Sequence, residues 1–541
     1  MEKRALIAVA ISVAILVLYQ EVVLRRLYPP PPPGEEQVSE APTAEPTPAP
    51  PTPEAIPESA PPANRAKPAA AARRITVETE LYTAVFSSAG ARLQSLKLKK
   101  YRTTVNPDSP FQEMIVPAPD GELPFGVELR GAQVLSDSGA AYTVQGGDLN
   151  LNSDEEGTLD FVWNSDSVTL HKRFSFRGNR YEFSAQVGAR DVSHDYNELA
   201  ISWVKGVDAR PQPDSEVIFD HAMFLDGRKL TEDPFDKLNA GTIVTGDIQW
   251  AALSGRYFLA AMIPVDAQNR RLWLKLRDGA VEEKLLFPTS AAAVEENLDV
   301  FVGPKDFDVL DRVGHSLSRA ANLGWFGFIA VPLLHELKLS HTFTGNYGAD
   351  IILLTVIIKI LFIPLTQKSF RSMREMQKLQ PQMAKIRERF KDTPEQMNKE
   401  IMELYRRHKV NPLGGCLPMV LQIPVFFGLY QALLNTVELR HAAFALWIND
   451  LSAPDRLGML QLPFVQHPGI PVLTLLMGVS MFVQQWMTPS TGDPAQQRVM
   501  MIMPLMFTFM FVNFPSGLAL YWLVNNLLTI AQQFYMNRTA T

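Results

Sequence analysis

One side chain stands where its chemistry needs explaining. Lys359 lies near the middle of the uncharged run Ile351 to Leu365, and a lysine at the centre of a lipid-spanning helix costs roughly 2.5–3.5 kcal/mol by insertion scales. Four further apolar stretches follow, and none carries an acid to pair with it. A cation left without a carboxylate should face a water-filled cavity. Snorkelling is the competing reading, because Gln367 lies about 12 Å further along a helix, a distance that a long side chain partly bridges. Thr355 sits one turn before Lys359 on the same face, and Gln422, Gln431, Gln484, Gln485, Asn525 and Asn526 lie in the later stretches. Each of these either lines a cavity or joins helices by hydrogen bonds.

Other constellations point away from catalysis. His335-Glu336 would open an H-E-x-x-H zinc site only with a histidine at 339, where Leu339 stands. Cys416 is the only cysteine, which excludes an intrachain disulfide and a tetra-cysteine metal site. No phosphate-binding G-x-x-x-x-G-K-[ST] loop occurs. Ser516-Gly517 lacks the preceding glycine of a G-x-S-G motif, and the spans are expected to hold no histidine or aspartate. A secondary transporter would need a proton- or sodium-binding acid in its helices, and the spans are expected to offer none. No enzyme activity, cofactor or metal is expected.

The elements that position Lys359 follow from a split composition. The 541 residues are 46% hydrophobic and 20% charged with a net charge of −6, and the mean hydropathy is near zero. That mean averages apolar runs at the two ends with a middle that reads as soluble, so a wholly cytosolic enzyme is excluded. Residues 1–28 form an N-terminal transmembrane anchor: Lys3 and Arg4 precede the uncharged stretch Ala5 to Gln20, and no small-x-small cleavage site follows. Residues 29–73 are a Pro/Ala-rich linker that cannot bury enough apolar area to fold.

Over residues 74–310 the hydrophobic period becomes two. Val168, Leu170, Phe174 and Phe176 share a face that Lys172 interrupts, and Gly178-Asn179 then predicts a two-residue hairpin loop before Tyr181, Phe183 and Val187. Further strands are expected at Ile75 to Phe86, Arg271 to Leu276 and Leu298 to Val302. Many short strands without intervening helices predict an antiparallel sandwich. Residues 311–347 hold an amphipathic interfacial helix over Leu323 to Leu339, too polar to span.

Residues 348–538 form the membrane core, with five spans at 348–367, 413–434, 470–488, 499–514 and 517–535. Between Lys368 and Lys409 twelve Lys/Arg stand against six Asp/Glu, so that loop is expected in the cytoplasm. This leaves both termini cytoplasmic and the β-domain outside. The loop itself, 369–410, predicts a helical hairpin. Met373, Met376, Leu379, Met383, Ile386 and Phe390 recur at helical spacing, Thr393-Pro394-Glu395-Gln396 reads as a capping box, and Met397, Ile401 and Leu404 continue the stripe. Its basic exterior either is simply solvated or docks anionic lipids or ribosomal RNA. Sixteen of the 20 methionines lie at or after Met373, which suits either an adaptable greasy surface or ordinary membrane-core filling.

Several stretches carry a family resemblance. They are Asn411-Pro412-Leu413-Gly414-Gly415-Cys416, Gln422-Ile423-Pro424-Val425-Phe426, Val437-Glu438-Leu439-Arg440, Phe444-Ala445-Leu446-Trp447-Ile448, Phe514-Pro515-Ser516-Gly517-Leu518 and Pro364-Leu365-Thr366. Arg256-Tyr257-Phe258-Leu259-Ala260-Ala261 and Val302-Gly303-Pro304-Lys305 match more weakly. Together they resemble the YidC/Oxa/Albino membrane protein insertases, in the Gram-negative form with a large periplasmic domain. The resemblance implies a polytopic α-helical membrane protein of the bacterial inner membrane. Its parts would be an anchor helix, a five-helix core enclosing a hydrophilic groove, and a periplasmic all-β supersandwich.

Lys359 would be the groove cation, where the family more often has arginine. Thr355, Gln422, Gln484 and Asn525 would line the groove, and Tyr521, Trp522, Phe426 and Met477 would contact a client helix. Nascent membrane proteins, the Sec translocon, anionic lipids and the ribosome are the implied partners, with no specific DNA binding. The chain ends at Arg538-Thr539-Ala540-Thr541 without a long basic tail. Ribosome docking would therefore fall to the hairpin residues Arg371, Arg374, Lys378, Lys385, Arg387 and Arg389.

Overall fold

The computed structural model describes residues 72–539 apart from 166, 192–195, 208–218, 239–240, 290–291, 409, 411–416, 461–467 and 488–493. The expected anchor at 1–28 and nearly all of the 29–73 linker lie outside the described residues. From Arg74 to Pro304 the described chain forms strands in sheets of nine, six and five, antiparallel except where Arg74–Glu78 pairs in parallel with Leu149–Asn150. The alternation seen in the sequence buries Val168, Leu170, Phe174 and Phe176 within one large core. Ile75 to Phe86 is two strands, Arg74–Glu78 and Tyr82–Ser87, paired as a hairpin. The two-residue loop at Gly178-Asn179 is a correction: strand Val168–Arg177 ends and Glu182–Asp191 begins with four residues between them. Tyr181 is buried in that connection rather than paired in the strand.

Lys172, which breaks the apolar series, is fully buried. Its ammonium donates to the carbonyls of Gly90 at 2.7 Å and Phe125 at 2.6 Å and pairs with Asp137 at 2.6 Å. Arg92 reaches the same carboxylate at 2.7 Å. Three ammonium donors thus meet three acceptors.

The helices follow. α1 spans Phe307–Val313, α2 Gly327–Thr344, α3 Tyr347–Arg389, α4 Pro394–Arg407, α5 Leu417–Asn435, α6 Val472–Met487, α7 Pro494–Phe511 and α8 Ser516–Thr539. Among the described residues, α3 is the helix long and apolar enough by length and composition to cross a membrane; α6 and Met500–Phe511 are shorter apolar helices. α2 carries the expected interfacial segment but is apolar on two sides. Leu334 and Leu337 are buried, whereas Phe328, Leu339 and Phe343 are exposed. Leu337, Ile351, Leu354, Leu429, Leu433, Met477, Phe511, Leu518 and Tyr521 close a second core between α2, α3, α5, α6, α7 and α8. Ile360, Leu361, Val479, Trp486, Leu505 and Phe509 are exposed around it, an outer surface suited to lipid rather than water.

The distal half of α3 and α4 form the hairpin. Met376, Leu379 and Met383 pack on Tyr405 and Val410, flanked by Met373, Ile401 and Leu404. Tyr405, which the apolar stripe does not include, donates its hydroxyl to the Met383 sulfur at 3.3 Å. Thr393 is the N-cap of α4 with Pro394 in the first turn, but its side chain makes no capping hydrogen bond, so the expected capping box is not formed.

Candidate functional site

Lys359 lies about 18 Å along α3 from its first residue, half-buried. Its ammonium donates to the Thr529 hydroxyl of α8 at 2.6 Å, and that hydroxyl donates in turn to the Asn525 carbonyl at 2.6 Å. Among the described residues no carboxylate lies within ion-pair distance of Lys359. One turn and more further along the same seam, Gln532 donates to the Thr366 hydroxyl at 2.9 Å. α8 also meets the other helices through polar pairs. Gln422 of α5 donates to the Tyr521 hydroxyl at 3.2 Å, and Asn526 donates to the Ser480 hydroxyl of α6 at 3.0 Å. Sequence reasoning singled out Lys359 and marked Thr366 only as part of a motif, and it missed Thr529, Ser480 and Gln532, which carry no signal until the helices are aligned.

The other expected site residues separate by depth. Thr355, Met477 and Tyr521 are fully buried, and Thr355 returns its hydroxyl to the Ile351 carbonyl at 2.6 Å. Gln422, Gln484 and Asn525 are half-buried, as are Phe426 and Trp522, which meet edge to face at 4.9 Å. Arg371, Lys378, Lys385 and Arg389 are exposed along the hairpin, with Arg374 and Arg387 half-buried. Arg371 pairs loosely with Glu375 at 3.5 Å.

An acid does occur in the first span, contrary to the expectation of none. Asp350 is fully buried in the first turn of α3, where it accepts from Thr344 at 2.6 Å and meets His341 at 2.9 Å. A carboxylate at a helix N-terminus, already bonded twice, is a structural group.

The end of the core nearest the β-domain is closed by residues 436–460. Asn346 caps α3 and donates to the Phe444 carbonyl at 3.0 Å. Gly348 permits this approach, since a Cβ there would come within 2.0 Å of the Phe444 ring. Asp455 accepts from the Trp447 indole at 2.6 Å and from the first amides of α6, and Ser516 donates to the Asp450 carbonyl at 2.8 Å. Motifs 444–448 and 514–518 therefore meet in one cap.

A second junction brings together Arg256, Arg440 and Glu438, which the sequence marked only as parts of motifs. Arg256 donates to the Leu434 carbonyl in the last turn of α5 at 2.8 Å, where a cation also complements the helix dipole. Arg440 donates to the Arg102 carbonyl at 2.8 Å and to Gln112 at 3.1 Å, lying over the Phe258 ring. Glu438 pairs with Lys338 of α2 at 2.7 Å.

A helical core with a lipid-suited exterior, polar pairs inside and a β-sandwich fastened to one end defines a membrane protein with a folded extramembrane domain. The 60Kd inner membrane protein family matches residues 339–541, and the YidC periplasmic domain family matches residues 74–335. A membrane protein insertase YidC of Pelobacter propionicus is 40% identical, covering 99% of both chains. One from Geobacter sulfurreducens is 41% identical over 85% of this chain and 86% of its own. A solved structure described as an active YidC insertase with the first transmembrane domain resolved aligns over 87% of this chain and 93% of its own, at 19% identity and a TM-score of 0.37. The chain belongs to the YidC family of membrane protein insertases. It is an inner-membrane insertase with a periplasmic β-sandwich domain, and its activity is insertion rather than an enzymatic reaction.

Proposed function

We infer that Lys359 is the cation of a wet groove, open to the cytoplasm and to lipid, through which the hydrophilic segment of a nascent membrane protein begins its crossing. The observation that carries this is the ammonium's single hydroxyl partner, Thr529. An ammonium has three donors, and a lysine kept inside a helical core with two of them unused by the described residues is suited to water or a client's carboxylate. Unsatisfied polar and charged groups are costly in hydrocarbon, so a groove reaching part-way shortens the dry distance. The cap at 436–460 suits a groove closed on the periplasmic side.

The client's apolar helix first meets the half-buried Phe426 and Trp522. It reaches Thr355, Tyr521 and Met477 only when α5 and α8 part, because those three are buried. Gln422, Gln484 and Asn525 supply hydrogen bonds along the way. Apolar transfer and the membrane potential acting on acidic residues drive the passage. Both termini are cytoplasmic in this reading, the hairpin with Arg371, Arg374, Lys378, Lys385, Arg387 and Arg389 docks the ribosome or anionic lipid, and the Sec translocon is a partner for larger clients.

The test replaces Lys359 with Arg, Ala and Glu in proteoliposomes and follows insertion of a small client with an acidic N-terminal tail. Arginine should preserve insertion, and glutamate should lower it by about tenfold or more, as expected for reversing one charge against one or two acids. Unchanged insertion by the glutamate variant would remove the electrostatic role. Photocrosslinking from positions 355, 422 and 521 to a stalled nascent chain maps the client path.

A further inference from the structure

Lys338, in the middle of α2, holds three carboxylates: Asp306 at 3.0 Å, Asp308 at 2.6 Å and Glu438 at 2.7 Å. They come from different parts of the molecule. Asp306 is the N-cap of α1 at the foot of the β-sandwich, with Asp308 two residues on, while Glu438 lies in the turn that ends α5. Asp306, Glu438 and Lys338 are each largely withdrawn from solvent, their side chains 17%, 17% and 20% exposed. Asp306 and Glu438 thus converge on one ammonium, at 3.0 and 2.7 Å. Two carboxylates crowded onto one partly buried cation repel each other, which favours a proton on one of them.

We propose that Lys338, Asp306 and Glu438 form a proton-gated clamp between the β-domain and the outer end of α5. It holds the wall bearing Gln422 and Phe426 while one of the two carboxyls keeps a proton, and it slackens when both ionise. The position gives the clamp leverage. Arg256 of the β-domain grips Leu434 at the end of α5, and Arg440, in the turn that follows, grips Arg102 and Gln112 of the β-domain, so loosening Glu438 loosens a helix end fastened from both sides. These are positioning residues, since none of them touches Lys359 or the groove.

The electrostatics set the working range. Burial, and then the Asp306 charge, push Glu438 up to about 7 against the opposing pull of Lys338. Burial works to raise Asp306, but its hydrogen bond with Glu438 and the Lys338 ammonium outweigh it and hold Asp306 below its ordinary value. From the sandwich, Tyr101 and Tyr181 face the pair; burial pushes both upward, away from neutrality. Lys305 is bonded to Ser254 and the Gly255 carbonyl, and Tyr347 of α3 faces Glu438. On α2, His335 packs edge-on to Phe307, Glu336 is raised by burial and then by Asp350, and His341 is bonded to Asp350. On the turn itself, burial and Arg440 push His441 below its ordinary value.

The sign follows from linkage. Glu438 keeps a proton in the closed clamp that it releases in the open one between its ordinary value and about 7, so closure is favoured in acid and lost as pH rises. For that shift the opening constant grows about tenfold between pH 6 and pH 8. Hydrogen exchange at residues 429–435, with the full chain in lipid nanodiscs and intrinsic rates corrected, should show this increase. Glu438→Gln, which cannot ionise, should abolish it. A wild-type opening that is independent of pH, or a Glu438→Gln variant that keeps the same pH dependence, overturns the clamp. Should the variant not assemble, the wild-type profile decides alone. No client enters the measurement, so its outcome is independent of the groove reading.

Discussion

Two lysines, one in each half of the molecule, differ in how completely the fold satisfies them. In the β-domain, Lys172 is completely enclosed, and each of its donors meets a protein acceptor, one of them the carboxylate of Asp137. Burial still pushes Lys172 down to about 8, with Asp137 pulling the other way. In the helical core, Lys359 is half-buried and meets one hydroxyl. The first lysine completes its valences inside the fold and can do nothing else. In the proposed groove the second keeps capacity for a visitor, which would be the difference between filling a site and offering one.

The comparison breaks most readily at Lys172. Lys172→Met removes one partner of an enclosed pair and leaves Arg92 as the cation facing Asp137, beside the Val127 amide and the Tyr142 hydroxyl, which should destabilise the β-domain by about 3–5 kcal/mol. Chemical or thermal denaturation of the full chain, followed through the sandwich tryptophans Trp203 and Trp250, measures the loss. A stability change under about 1 kcal/mol would mean that the enclosure matters less than its geometry implies.

Lys359→Met should behave in the opposite way. No carboxylate is left behind, and a neutral side chain no longer bears the cost of a cation in hydrocarbon. Stability should hold or rise by about 1 kcal/mol while insertion of acidic-tailed clients falls. Loss of both together would make Lys359 a second structural cation.

The same contrast explains what was legible in the sequence. Lys359 stood out because a charge in an apolar run violates a strong local rule. Lys172 read only as an interruption of alternation, because its partners Gly90, Phe125 and Asp137 come from turns and loops elsewhere in the chain and no local pattern announces them. The period-two strands and the apolar helices were readable for the reason Lys359 was: burial imposes a repeat along the chain. The hairpin loop after Arg177 was misjudged because Gly178-Asn179 favours a tight turn locally, whereas Tyr181 is drawn into the core and lengthens the connection. The junction of Arg256, Lys338, Glu438 and Arg440 was invisible for want of any repeat at all. Its charges lie in separate segments and acquire meaning only once the sandwich rests on the end of α5.

The smallest expected effect is also the one that divides the two lysines most finely. Thr529→Val replaces the hydrogen-bond partner that Lys359 has among the described residues by a side chain of the same shape, and it leaves the Asn525 carbonyl with its backbone role in α8. In an enclosed site, losing an acceptor from an ammonium costs about 1.5–3 kcal/mol, because nothing else can take its place. In a wet site, water accepts the freed hydrogen bond at nearly equal enthalpy, and the loss should fall to about 0.5 kcal/mol or less. Thermal unfolding of Thr529→Val in nanodiscs therefore reports whether Lys359 is hydrated, without any client present. A loss above about 1.5 kcal/mol would mean that Thr529 holds the cation dry, and that the open capacity assigned to Lys359 is not filled by water.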